Sequence, residues 1–180
     1  ELESQLQEEL RRMFGRFITF DPFERRFYRS DVGVMPSLVS PLIGNLMPAG
    51  VVKPLSEEKV VELVRFAHQH RIPLVPRGKA SSGYGGVLPV AGGLVVDLSW
   101  LTHIESVDPE AMTTTVGAGV VWETLEKELN QRGLALCTYP SSAPSSTVGG
   151  WLAQGGMGYG AFEYGFFRQN LVSARVVLPT

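Results

Sequence analysis

The chain has one cysteine, Cys137, among its 180 residues. No intrachain disulfide can form, and a chain that does without a disulfide framework reads as intracellular. An excess of charge is missing too. The net charge of −2 gives no sign of the strongly basic surface expected of a nucleic-acid or anionic-membrane binder. Long apolar runs are absent: Pro, Gly or a charge interrupts each one well short of the ~20 residues that a membrane span needs. The start, "ELESQLQEELRRMFG", has no signal-peptide core. These absences lead to the expectation of a cytoplasmic protein that meets a membrane only through a partner. Histidine is scarce and scattered. His68 and His70 are two apart on an expected helix and do not share a face, and His103 follows a strand and turn. No metal site is expected.

Glycine and proline are plentiful and clustered, which points to structured turns and ligand loops. Leu2, Leu6, Leu10, Met13 and Phe17 recur at helical spacing, so a helix is expected over roughly residues 2–14. Residues 30–50 carry Pro36, Pro41 and Pro48 without periodicity and read as a long ordered loop of the kind that lies over a binding site. A strand–helix–strand plan follows. Val51-Val52 is the first strand, Ser56 caps a helix that ends near His68–Arg71, and Leu74-Val75 is the second strand. Strands are also expected at Gly93–Leu98, His103–Val107 and Met112–Val116, with a turn at "DPEA". A second helix over Val121–Leu129 ends in Gly133 as its capping glycine. Strands are expected again at Leu134–Leu136 and Leu171–Leu178, and Cys137 is expected to be buried at a strand end. Alternating helices and strands place the chain in the α/β or α+β class.

Both strand–helix–strand units run into a loop rich in Pro, Ser and Gly. The first is Pro76–Gly86, "PRGKASSGYGG". A nucleoside-triphosphate loop, G-x-x-x-x-G-K-[ST], fails here because Pro73 replaces its first glycine and Ala80 its hydroxyl residue. A dinucleotide fingerprint, G-x-G-x-x-G, fails at Leu88 when begun at Gly83 and at Trp122 when begun at Gly117. What remains is a loop whose glycines allow positive φ and whose consecutive amides and serines can hold an anion. The second loop is "YPSSAPSSTVGGWLAQGGMGYG", residues 139–160. If Trp151-Leu152-Ala153 is a turn of helix, its N-terminus offers free amides for a phosphate. Two such loops suit a diphosphate gripped from two sides, as in an extended dinucleotide.

Three segments, in order, then carry a resemblance: "PAGVVKPLSEEKVVELVRFAHQHRIPLVPRGKASS", "YPSSAPSSTVGGWLAQGG" and "YGFFRQNLVSARVVLPT". Over about residues 27–180 the chain resembles the FAD-binding domain of the vanillyl-alcohol oxidase / p-cresol methylhydroxylase superfamily. Within it, the chain is most similar to the FAD-linked D-lactate dehydrogenase and glycolate oxidase FAD-subunit group. The resemblance implies an α+β fold of the p-cresol methylhydroxylase FAD-binding type with two small α/β subdomains, the second incomplete within this chain. The expected division is residues 1–48 for the N-terminal helix and long loop, 49–110 for the first subdomain and 111–180 for the second. Pro76 opens the first loop, and the backbone of Arg77, Gly78, Lys79, Ala80, Ser81 and Ser82 is implied to hold the FAD pyrophosphate. Pro140, Ser141, Thr147, Val148, Gly149 and Gly150 are implied to line the flavin and ribityl side, with Gln154, Gly155, Gly156 and Gly158 continuing that wall.

Three positions depart from the family pattern. Ala80 stands where glycine is usual, which requires a negative φ or a looser contact. Gly155 stands where asparagine is frequent, and Gln169 replaces the common aspartate before Asn170. The first loop offers serines where some relatives attach FAD through histidine, so non-covalent FAD is expected. In this family hydride passes from a substrate carbon to the flavin. The implied partners are a small hydroxy-acid substrate and an electron-acceptor protein or the remaining part of the enzyme. The catalytic base belongs to a substrate cap outside these residues, so the chain is expected to be the first part of an enzyme or one piece of a split one. Two other readings stay open: a non-redox FAD enzyme of the alkylglycerone-phosphate synthase type, and a flavin-free structural module.

Overall fold

A computed structural model describes residues 2–33 and 44–179. Part of the loop expected over 30–50, residues 34–43, lies outside the described residues. The chain divides into two compact units: Glu1–Leu98 with Val177–Thr180, and Ser99–Val176.

The first unit is built on a four-stranded sheet in the order β1-β2-β4-β3. Its strands are β1 (Ile18–Thr19), β2 (Gly50–Val52), β3 (Leu74–Arg77) and β4 (Leu94–Asp97). β2 and β3 run parallel to β4, and β1 is antiparallel to β2. The central strands β2 and β4 are buried throughout, as the apolar runs Gly50–Val52 and Leu94–Val96 require. Pro76 lies in β3, at the sheet edge, where a residue without an amide costs no ladder bond. Helix α1 (Ser4–Phe14), the short helix α2 (Pro22–Arg25) and helix α3 (Glu57–Gln69) complete this unit. Leu10 and Phe14 from α1 meet Leu63, Phe66 and Ala67 from α3 and Val52, Leu94 and Val96 from the sheet in one core. Ser56 caps α3 as expected, accepting from the Lys59 amide.

The second unit begins with an antiparallel hairpin, β5 (Ile104–Asp108) and β6 (Thr113–Val116). Asp108 closes its turn by accepting from the Glu110 and Ala111 amides at 3.0 Å each. The division expected at 110 falls inside this hairpin, whose ladder keeps both strands in one unit. Helices α4 (Trp122–Asn130), α5 (Val148–Ala153) and α6 (Ala161–Tyr164) follow. Trp122, Leu125, Leu129, Trp151 and Phe167 form the core. Gly133 has φ +72° and closes α4: its amide bonds the Asn130 carbonyl and the Leu134 amide bonds that of Leu129. This is the two-bond C-terminal cap anticipated for it.

Two expected strands do not form. Leu134–Leu136 has no ladder partner, and the Leu136 amide donates to the Glu126 carboxylate at 3.1 Å instead. Leu171–Leu178 has no regular structure, and Val172, Val176 and Leu178 are exposed. A strand is stable only when a neighbour takes its backbone groups, and among the described residues none does. Cys137, expected to be buried, is exposed, because the strand end meant to enclose it is absent.

Candidate functional site

β3 ends at Arg77, so Pro76 and Arg77, expected in the first loop, are the last two residues of a strand. The loop proper leaves the carboxyl end of a parallel strand, the place where ligands gather in such sheets. Among the described residues, the amides of Lys79, Ala80, Ser81 and Ser82 donate to no protein acceptor. The Ser82 Oγ is buried and has no partner. Ala80 is buried with φ +51°. The negative φ that was one expected alternative does not describe it. The alanine keeps a glycine-type backbone at a cost of about 1–2 kcal/mol. A left-handed residue among consecutive free amides can curl those donors round an anion. A buried hydroxyl without a partner such as the Ser82 Oγ is costly, and a diphosphate could satisfy it together with the free amides. The first loop therefore fits the anionic part of a dinucleotide.

The Arg77 side chain does not join these donors. Its guanidinium turns back and donates to the Ser30 carbonyl at 2.9 Å and the Phe27 carbonyl at 3.3 Å. It also lies 5.2 Å from the centre of the Tyr28 ring. Burial pushes it below its ordinary value, opposed by Asp97, Tyr28 and Asp31. Tyr28 donates to the Asp97 carboxylate at 3.0 Å. Burial, reinforced by Asp97, pushes the Tyr28 hydroxyl well above its ordinary 10.0.

The shift on Tyr28 makes a testable claim. The folded chain keeps Tyr28 neutral at pH values where an unfolded tyrosine ionises. Its contribution to stability is therefore complete below about pH 10 and is lost as pH rises through the folded value. Tyr28→Phe should cost about 1–2 kcal/mol at neutral pH by removing the donor to Asp97. Its urea-unfolding stability should then fall less steeply than the parent's above about pH 10. Parallel decline of the two proteins in alkali would contradict the assignment.

The second loop differs from its expectation. α5 does form and Thr147 caps it, accepting from the Gly150 amide at 3.2 Å. Its N-terminus is not free, however. The Val148 amide bonds the Val120 carbonyl and the Gly149 amide bonds that of Ala118, both at 2.9 Å. The N-terminus of α4 is satisfied reciprocally: Trp122 bonds the Ser146 carbonyl at 3.2 Å and Glu123 that of Ala143 at 3.1 Å. Each helix start is tied to the segment leading into the other, so α5 has no amides left there for a phosphate.

The glycines of this loop serve its own packing. A Cβ on Gly149 would lie 2.7 Å from the Ala118 Cβ, and one on Gly150 2.9 Å from the Thr147 Oγ1. A Cβ on Gly156 would run into the Trp151 ring, and one on Gly158 into the Tyr139 carbonyl. Gly155, where the family frequently has asparagine, has φ +68° and caps α5: its amide bonds the Leu152 carbonyl and the Gly156 amide that of Trp151. Glycine and asparagine are the residues that tolerate that cap, so the exchange respects the backbone. Pro140 is buried, Ser141 and Gln154 are exposed, and the buried hydroxyls of Ser146 and Thr138 have no partner.

Sequence reasoning offered Asp31 only a role over the flavin, with no observation to support it. Its carboxylate accepts from the Gly33 amide and from the Gly85 amide, each at 2.8 Å, and so reaches the first loop directly. The signal was an aspartate two residues before a glycine, but its partner lies 54 residues away.

Comparison with known proteins gives the family and the cofactor. A family model described as FAD binding domain matches residues 48–180. Glycolate oxidase subunit GlcD of Bacillus subtilis is 32% identical over 132 residues, 73% of this chain and 28% of the relative. A mitochondrial D-lactate dehydrogenase [cytochrome] of Arabidopsis thaliana is 30% identical over 179 residues, 99% of this chain and 30% of the relative. The chain thus spans less than a third of these relatives' length. Among solved structures, an alkyldihydroxyacetonephosphate synthase superposes with a TM-score of 0.89 at 27% identity, covering 99% of this chain and 37% of that one. p-Cresol methylhydroxylase does so with a TM-score of 0.75 at 19% identity, covering 86% and 30%, a likeness of fold. By residues 48–180 the chain belongs to the FAD binding domain family, with the p-cresol methylhydroxylase-type fold and FAD as its cofactor.

Proposed function

We propose that this chain is the FAD-binding part of an oxidoreductase that oxidises a small D-2-hydroxy acid of the lactate or glycolate type. The observation that carries the cofactor's placement is the run of free amides from Lys79 to Ser82 beside the unpartnered Ser82 Oγ. The backbone from Arg77 to Ser82 would hold the FAD pyrophosphate. Pro140, Ser141 and Thr147–Gly150 would line the flavin and ribityl side, with Gln154–Gly156 and Gly158 continuing the wall. Once bound, FAD supplies an acceptor for the two electrons and the hydrogen leaving the substrate carbon. The residues of this chain grip and orient the cofactor and leave acid–base work to residues outside it. The first loop presents serines, which supports non-covalent attachment. The electrons would pass to an acceptor protein.

The substrate class rests on similarity to a glycolate oxidase and a D-lactate dehydrogenase at about 30% identity. The structural likeness to an alkyldihydroxyacetonephosphate synthase over 99% of the chain supports a second reading, a non-redox FAD enzyme of that type. The visible spectrum of the purified full-length protein, recorded before and after incubation with FAD, followed by anaerobic D-lactate or glycolate, separates them. Flavin bands that bleach support the first reading. Bands that persist, together with turnover of an acyl-glycerone phosphate, support the second. The lack of any bound flavin after incubation would overturn both.

A further inference from the structure

The segment that leads into the long loop, residues 27–33, is fastened to the first loop at three points. The Arg77 guanidinium, at the end of β3, holds the carbonyls of Phe27 and Ser30. Asp31 takes the Gly85 amide with one carboxylate oxygen and the Gly33 amide with the other. Gly33 itself lies so close to Gly83 that a Cβ on it would stand 2.7 Å from the Gly83 carbonyl oxygen. Lys79–Ser82, with their free amides, are bracketed between these fastenings: Arg77 anchors the chain on one side, and Gly83 and Gly85 anchor it on the other.

A loop with four consecutive unmet amides has little of its own to fix its shape, since it makes none of the ladder or helix bonds that normally do so. Its left-handed Ala80 adds a local cost that the surroundings must hold in place. An aspartate carboxylate between two amides makes charge-assisted bonds, roughly twice as strong as neutral ones. We infer that Asp31 is a positioning residue for the cofactor: by clasping Gly85 and Gly33 it holds the Lys79–Ser82 amides in the shape that receives a diphosphate. Asp31 need not touch the ligand. It acts by removing the ordering cost from the binding step, so its loss appears as weaker binding by a looser loop. This inference rests on the reading of the first loop as the FAD pyrophosphate site.

The test uses the whole chain with FAD as the probe, titrated by quenching of flavin fluorescence. In parallel, amide hydrogen exchange is read on the FAD-free protein. Asp31→Ala should weaken FAD about tenfold or more and speed exchange at Gly83–Gly86, while protection of β2 and β4 and the melting temperature hold. Asp31→Asn, with one acceptor oxygen left, should fall between parent and alanine. Gly33→Ala keeps the carboxylate but crowds Gly83, and should also loosen the loop and weaken FAD. Unchanged FAD affinity in Asp31→Ala would overturn the inference. So would a loss of affinity accompanied by equal loss of protection throughout the first unit, because the effect would then be unfolding. Failure of the parent chain to bind FAD would overturn the reading of the site instead. The exchange at Gly83–Gly86, measured without FAD, would still confirm or overturn the clasp.

Discussion

Gly149→Val is expected to lower the stability of the second unit by about 3 kcal/mol or more and to abolish FAD retention as a consequence. A Cβ at this position would stand 2.7 Å from the Ala118 Cβ and 3.0 Å from the Ala118 carbonyl oxygen. That carbonyl accepts the Gly149 amide, so the two backbones cannot separate without losing the bond. Nor can α5 shift alone, because the same stretch carries the Val148–Val120 bond and the cap from Thr147. Relief would require undoing the reciprocal tie between the starts of α4 and α5. From sequence alone, Gly149 reads as a place where a planar ligand touches backbone, and the same valine would then spare the helices. The geometry reverses the second part of that expectation: the valine does not spare the helices, because Gly149 packs on Ala118. Thermal unfolding in the absence of FAD decides between the two outcomes. A variant that melts with the parent yet loses FAD would refute the packing role.

Local signals were legible wherever one residue type has one structural use. Ser56 at the head of α3, Gly133 at the tail of α4 and Asp108 in the hairpin turn all stand as read. The free-amide loop after β3 was legible for the same reason, since its glycine and serine content and its failure at two triphosphate-loop positions are local facts. What escaped was settled at long range. The Val148 and Gly149 amides at the start of α5 looked available because nothing near them in sequence takes them, yet Val120 and Ala118 supply the acceptors. A role for Asp31 had no support because its partner is 54 residues on. Leu134–Leu136 and Leu171–Leu178 carry strand-like residues without a strand beside them. Ala80 is a milder case: the loop backbone is fixed by its surroundings, and the alanine takes on a conformation that glycine would adopt freely.

Trp151→Ala should be the other severe substitution. Trp151 stacks on Phe167 with centroids 5.1 Å apart and meets Trp122 edge-on at 5.0 Å, while Trp122 and Phe167 are themselves edge-on at 5.0 Å. All three are buried. Truncating a buried tryptophan costs about 3–5 kcal/mol, and each aromatic pair lost adds roughly 0.5–1.5 kcal/mol. For a unit of this size that lowers the melting temperature by some 15 °C or more, on the order of 4–8 °C per kcal/mol. The indole also shapes the turn beyond α5, because Gly156 rests on its ring with no room for a Cβ, and Gly158 lies against the same ring. Without the ring, Gln154–Gly156 and Gly158 lose the surface that fixes them, and these residues are proposed to face the flavin. FAD binding should therefore weaken even at temperatures where the variant remains folded. Trp151→Phe retains a ring to stack on Phe167 and should recover most of the stability but only part of the FAD affinity, because the smaller ring leaves space beneath Gly156. If the phenylalanine variant regained both in equal measure, the turn would owe its shape to something other than the indole.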